Sequence, residues 1–336
     1  MTLLFRAEDL EWVDDALALR AMEASFDAEA AGKVTVPKRV DTRFGRGFLR
    51  VMPAILGDVM GLKVMTLVEG LGTRYVVLLY DVASGALLAI FDADELTRLR
   101  TAAVTALAAR ALVRKPPQHL GMIGTGFEAE AQVRAVASLW PGCTVAVYSP
   151  TQENRERFAQ RAARSLGRPV EAAGSAAEAV AGAEVVLLAT KSKQPVVEGA
   201  ALARGAVVLS IGATRLDLRE LDTATLERAG TVVGDDPAQL ASESGDIAEA
   251  FKAGVLGPER VVALAAVRCD LGLVRTDATR DLVVFKSVGT ALQDLALARA
   301  VREAAAGRGL GTDIGEVTRL KEFAPAPAER QKAPAR

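Results

Sequence analysis

The run Leu120 to Gly126 reads Leu, Gly, Met, Ile, Gly, Thr, Gly, and Ala129 completes a G-x-G-x-x-A pattern. A side chain at Gly124 or Gly126 would block a tight turn, or the close approach of a pyrophosphate to the free N–H groups of a following helix. The pattern follows a predicted strand, His119 to Ile123, and opens a predicted helix through Gln132 and Ala135. In that context such a bend cradles a dinucleotide, with Gly124, Thr125, Gly126, Phe127 and Glu128 around its phosphates. The next predicted strand ends Tyr148, Ser149, Pro150, Thr151, without the carboxylate that would accept from ribose hydroxyls and repel a 2′-phosphate. Ser149, Thr151, Asn154 and Arg155 could receive that phosphate, so NADP is favoured over NAD; Ser149 and Thr151 also suit the N-cap of the next helix.

Other reactive side chains are read against plainer roles. Lys63 lies in an apolar strand between Leu62 and Val64, where a charge is hard to explain as surface decoration. Arg39 falls among Lys33, Lys38 and Arg43, which by themselves suggest a solvated loop. Asp235, Asp236, Glu243 and Asp246 cluster in sequence, but their spacing matches no cation loop and helix N-termini favour acids, so structural work is expected of them. Cys143 and Cys269 are far apart and His119 is the single histidine, so no metal site is expected. Trp140, Cys143 and Met65 read as packing.

Two kinds of element must position these groups. Before Lys115, Pro116 and Pro117, a helix is expected from Glu8 to about Ala31 on apolar spacing of Leu10, Val13, Leu17 and Met22. Short β-type runs follow (Gly47 to Met52, Lys63 to Val68, Tyr75 to Tyr80), with a hairpin turn over Asp81 to Gly85 and a mainly antiparallel sheet. An Ala-rich helix from about Ala93 to Val113 leads to the prolines, which mark a domain boundary. Beyond them, strands at His119 to Ile123, Thr144 to Tyr148, Glu184 to Ala189, Ala206 to Ile211 and Thr231 to Val233 alternate with helices, the pattern of a parallel Rossmann sheet. Helix is expected from about Lys286 to Ala306, and disorder from Ala324 to Arg336.

The 336 residues carry 41 basic and 42 acidic side chains, so no broad field favours nucleic acid or an anionic membrane. No apolar run approaches the ~20 residues of a membrane helix, and the opening residues lack a signal pattern, so a cytoplasmic location is expected.

Several stretches in order resemble the ornithine cyclodeaminase and mu-crystallin family over roughly Val36 to Gly309. They are Pro37 to Arg39, Phe48 to Ala54, Gly61 to Lys63, Arg100 to Ala103, the glycine bend, Ile211 to Leu221, and Phe285 to Gly289. The resemblance implies an α/β molecule in two parts. A Rossmann dinucleotide-binding domain spans 116–304, and an α+β substrate-binding and dimerisation domain with a mainly antiparallel sheet comprises 1–115 with 305–323. It implies Arg39 and Lys63 facing a small amino or imino acid. Arg100, Thr101, Thr190, Gly212 and Ala213 would face the cofactor, with Ser287 and Gly289 at its nicotinamide end. Arginine suits a substrate carboxylate through a planar bidentate pair, and a lysine can polarise or protonate the reacting nitrogen.

One position departs from the family. True cyclodeaminases carry a catalytic aspartate where this sequence has Thr214, whose hydroxyl cannot shuttle a proton near neutral pH. Asp217, three residues later, is expected to cap or position the next turn. The resemblance therefore implies the ketimine-reductase branch: NAD(P)H-dependent reduction of a pyrroline- or piperideine-2-carboxylate, or related ketimine, to an L-amino acid by a homodimer. The alternatives are amino-acid dehydrogenation as in alanine dehydrogenases, conversion of ornithine to proline and ammonia with bound NAD, condensation of two amino acid derivatives, and non-catalytic dinucleotide binding.

Overall fold

In the computed structural model, residues 1–318, 320 and 321 are described; the segment expected to be disordered, 324–336, lies outside them. The first part of the chain is built on β1 (Leu3–Phe5), α1 (Asp15–Ala30), β2 (Val34–Thr35), β3 (Val40–Phe44), β4 (Gly47–Leu56), β5 (Val59–Val68), β6 (Gly72–Asp81), β7 (Leu87–Asp92) and α2 (Asp94–Leu112). The expected opening helix is broken. A 3-10 turn over Ala7–Leu10 precedes α1, which starts afresh where the Asp14 carboxylate accepts from the Leu17 amide at 2.7 Å. The three predicted β runs lie within β4, β5 and β6, each of which is ten residues long, joined as long hairpins, and the turn after Asp81 leads into β7 as expected. With β16 (Thr312–Asp313), the sheet runs β16-β1-β7-β6-β5-β4-β2 with β3 on β4, antiparallel except where β1 lies parallel to β7.

Strand alternation sends neighbouring residues to opposite faces. Phe48, Arg50 and Met52 of β4, Lys63 of β5 and Val77 of β6 are buried on the inner face. The outer face carries Val51, Val64 and Val76 side by side, then Pro53, Leu62, Leu78 and Ile90, and solvent reaches all of them.

The second sheet follows from β8 (His119–Ile123), α3 (Ala129–Ala137), β9 (Thr144–Tyr148), α4 (Gln152–Leu166), β10 (Glu171–Ala172), α5 (Ala176–Val180), β11 (Val185–Leu188) and β12 (Val207–Ser210). It is completed by α6 (Thr223–Arg228), β13 (Ala229–Gly234), α7 (Pro237–Glu243), α8 (Gly245–Lys252), β14 (Val261–Ala263), α9 (Leu264–Cys269) and β15 (Leu282–Lys286). All its pairings are parallel, in the order β10-β9-β8-β11-β12-β15-β13-β14. This is a doubly wound α/β sheet, so the loops at its strand C-termini share one edge, where ligands of such sheets bind. The helix expected from Lys286 is corrected: Leu282 to Lys286 is a fully buried strand inserted between β12 and β13. A five-residue apolar run buried on both faces shows no period that separates strand from helix. Helix α10 (Ala291–Ala306) begins only after the turn at Gly289. It lies across the inner face of β4, β5 and β6, and β16 (Thr312–Asp313) then pairs with β1. On packing, α10 therefore groups with the first sheet together with the returning segment after 305.

Helix α2 packs against α1 on one side and α3 on the other, tying the two halves together. Near the end of α1, Glu29 faces Asp236 and Asp235 of the second half; burial and those two charges push its carboxyl up to about 7.

Candidate active site

At the glycine bend the Gly124 amide donates to the Tyr148 carbonyl at 2.9 Å, fixing the end of β8 against the tip of β9. Gly124 has φ +114°, and a Cβ there would meet the Ala189 carbonyl oxygen at 2.5 Å, so the turn needs glycine. A Cβ on Gly126 would meet no atom within 4 Å. The amides of Thr125, Gly126, Phe127 and Glu128 donate to no described protein group, and the N-cap of α3 has no side-chain cap. Free amides facing open space at a helix N-terminus fit a diphosphate. Thr125, Gly126 and Phe127 line a cavity of about 350 Å3 with Arg98 and Arg161 on its walls. Beside it, at the tip of β9, the Ser149 hydroxyl approaches the Thr151 carbonyl at 3.4 Å, and Arg155 donates to the Ser149 carbonyl at 3.3 Å. Thr151 occupies the N-cap position of α4, yet its side chain caps nothing.

A second cavity, of about 440 Å3, opens between the two halves. On its sheet side, Lys63 Nζ donates to Thr97 Oγ1 at 2.7 Å and to Asp294 Oδ1 at 3.0 Å, and stands 4.6 Å from the centre of the Tyr75 ring. Burial pushes its pKa down to about 8, against the pull of Asp294. The same Asp294 oxygen accepts from Arg100 Nε at 3.0 Å, while Arg100 Nη1 donates to Gln293. Gly289, at φ +73°, leaves the room that this guanidinium fills: a Cβ there would lie 2.7 Å from Nη1.

Arg39 is buried rather than solvated. Its Nε and Nη2 donate to Gln239, Nη2 also to the Gly289 carbonyl, and Nη2 lies 2.8 Å from Glu243. The edge a bidentate carboxylate pair would use is thus filled by the protein, leaving Nη1 for a ligand. Arg50, which the sequence reading passed over, lines the same cavity with its Nε and Nη2 on Asp41, both at 2.7 Å. That bond holds the Asp41 carboxyl below its usual range.

Three loops close the far wall, and buried carboxylates shape them. Glu220 accepts from the Thr190 amide at 2.5 Å and the Gly212 amide at 2.8 Å, and also from Thr190 Oγ1, Ala213 N and Ser210 Oγ. Where these two loops touch, a Cβ on Gly212 would sit 2.0 Å from the Thr190 carbonyl oxygen, which excludes any larger residue. Behind them Lys286, fully buried, is 2.9 Å from Asp246 and 3.7 Å from Glu220. Asp235 organises the third loop, accepting from Ser287 Oγ at 2.6 Å and the Gly289 amide at 2.7 Å.

Of the residues singled out beforehand, Arg39, Lys63, Arg100, Thr101, Glu128, Gly212, Ser287 and Gly289 line the cavity between the two halves. Arg100, expected to face the cofactor phosphates or ribose, shares Asp294 with Lys63. Thr190 and Ala213 are held just behind the wall by Glu220, and Ser149, Thr151 and Arg155 line neither cavity. Thr214 lines the cavity between the two halves. Asp217 forms a bidentate pair with Arg215 at 2.7 and 2.8 Å within the turn that the Leu218 amide closes on the Arg215 carbonyl. Asp236 caps α7, accepting from the Ala238 amide, as the helix-terminus argument expected, whereas Asp235, Glu243 and Asp246 brace the site. Among the described residues no group of three or more His, Cys, Asp or Glu side chains could hold a metal ion, and no helix is long and apolar enough to cross a membrane.

The model of the Ornithine cyclodeaminase/mu-crystallin family matches residues 3–309. Ketimine reductase mu-crystallin of Rattus norvegicus is 33% identical over 299 residues, covering 84% of this chain and 89% of the relative. The structure of Thermococcus litoralis Delta(1)-pyrroline-2-carboxylate reductase in complex with NADH and L-proline aligns with a TM-score of 0.86 at 30% identity, over 93% of this chain and 100% of that one. An archaeal alanine dehydrogenase dimer with bound NAD aligns with a TM-score of 0.86 at 30% identity, over 94% and 99% of the two chains.

Proposed function

Since the chain belongs to the ornithine cyclodeaminase/mu-crystallin family, we propose that it is an NAD(P)H-dependent oxidoreductase that reduces a small imino acid, such as a pyrroline-2-carboxylate, to an L-amino acid. The observation that carries this reading is the convergence of Lys63, Arg39 and Arg100 on one cavity with the loops at Gly212 and Ser287 to Gly289, beside a glycine bend whose amides are free. The amides of Thr125 to Glu128 would hold the diphosphate, and Ser287 and Gly289 would frame the nicotinamide. When bound, the dinucleotide supplies the hydride.

The chain's own groups do the rest. Arg100 and the remaining edge of Arg39 orient the substrate carboxylate. Lys63, fixed by Thr97 and Asp294, keeps a positive charge where negative character grows on the reacting nitrogen, an attraction strengthened by its burial. The β9 tip without a carboxylate supports NADP over NAD. The apolar outer face of β4 to β7 supports a homodimer, in keeping with the dimer of the archaeal alanine dehydrogenase. Thr214 in the cavity weighs against the lyase reaction, which needs a carboxylate there.

The test is to incubate purified protein with NADPH or NADH and a panel of cyclic imino acids, following absorbance at the nicotinamide band. Oxidation with a pyrroline carboxylate, lost in Lys63→Ala, is expected. Ammonia released from ornithine at unchanged nicotinamide would overturn the reductase in favour of the lyase.

A further inference from the structure

Glu128 is the one carboxylate among the described residues that lines the cavity between the two halves. It stands at the N-cap of α3 but does not cap it, and its Oε2 is out of solvent reach with no hydrogen-bond partner. The groups that face it come from every neighbouring element: Lys63 on β5, Tyr75 on β6, Asp94 and Arg100 on α2, and Lys191 after β11. Lys63 is committed to Thr97 and Asp294 as a fixed cation. Glu128 is instead a carboxyl with an idle oxygen, next to the amides that would hold a diphosphate.

We propose that Glu128 is the proton-carrying group of the site: it takes up a proton as a dinucleotide settles on the glycine bend, and gives that proton to the substrate nitrogen during reduction. The inference rests on the functional reading above. Burial already pushes the Glu128 carboxyl up, against Arg100, Lys191 and Lys63, and a diphosphate placed nearby adds like charge in the same direction. In the reaction the C=N π bond opens, hydride from the reduced dinucleotide forms the new C–H bond, and the Glu128 O–H bond breaks as N–H forms. The dinucleotide leaves oxidised, and the carboxylate regains its proton from solvent.

The experiment measures NADH affinity by fluorescence for wild type and Glu128→Gln from about pH 5 to about pH 8, with no substrate present. For wild type the Kd is expected to rise with pH, approaching about tenfold per unit where one proton is coupled. Glu128→Gln, which cannot ionise, should vary by less than about twofold and bind more tightly than wild type at the alkaline end. A flat wild-type profile, or a Glu128→Gln profile that keeps the wild-type slope, overturns the proposal. A readout free of any folding defect is proton uptake by wild type itself, mixed with NADH in weakly buffered solution with an indicator dye. Binding without uptake overturns the role of Glu128 alone, whereas absence of binding by NADH and NADPH alike sinks the dinucleotide reading with it.

Discussion

Lys63 is a buried ammonium whose neighbours in the chain, Leu62 and Val64, point the other way, and its surroundings set both its charge and its aim. With its pKa pushed down to about 8, it loses the proton as pH rises through that value. If the cation holds the substrate, kcat/KM for imine reduction should be steady below pH 8 and fall above it. A pH-rate profile at saturating reduced dinucleotide checks this, and a profile with no alkaline limb near 8 would remove Lys63 from the mechanism. Lys63→Ala should lower kcat/KM by at least about 100-fold and abolish the limb. A lysine in an apolar strand was legible from sequence alone, because burial of a charge demands a reason. Arg39 was legible only through the family likeness, since Lys38 and Arg43 beside it look like a solvated loop. Its partners Gln239, Glu243 and Gly289 lie some 200 positions or more away in the chain, and no local pattern announces them.

Helix α10 shows what spacing cannot report. Read as an Ala-rich helix, its interior Asp294 passes for solvated surface, yet in the fold that carboxylate is fully buried and joins Lys63 to Arg100. The sequence located the helix but misjudged its start, because β15 before it is as apolar as the helix itself. Removing the shared anion leaves two buried cations without their partner. Asp294→Ala should therefore destabilise the protein by about 3–5 kcal/mol, a loss that thermal or urea unfolding would register. A variant as stable as wild type would mean that water or rearrangement replaces the carboxylate. The glycine bend was the most legible part of the site, because its residues are consecutive and their chemistry is local. The clamp of Glu220 on Thr190 and Gly212 spans thirty positions and was not.

The two halves meet through charges as well as through α2. Glu29, its carboxyl pushed up to about 7 from an ordinary 4.5, binds its proton more tightly in the native state. Its contribution to stability is fully present below about pH 4.5 and is lost as pH rises through about 7. Glu29→Gln should flatten that decline, so its stability advantage over wild type ought to be larger at pH 8 than at pH 4 in parallel urea titrations; an equal gap at both would show that Glu29 does not titrate as its surroundings dictate. On the outer sheet face, the proposed dimer contact, Val64→Asp places a charge amid Val51 and Val76 and should shift sedimentation from that proposed dimer to monomer with little change in secondary structure. A dimer that persists would put the contact elsewhere. The fold class was legible because strand and helix periods alternate plainly; the cleft was not, because it exists only once α10 has crossed back to the first sheet. That sheet has a further consequence for how the chain can vary. Odd-numbered positions around Lys63 serve the cavity and even-numbered ones the outer side, so deleting any one residue within β5 would thread valine into the reaction chamber and strand the ammonium on the outside. Substitutions along this strand can be absorbed singly, whereas a lost or gained residue would disable chemistry and assembly together.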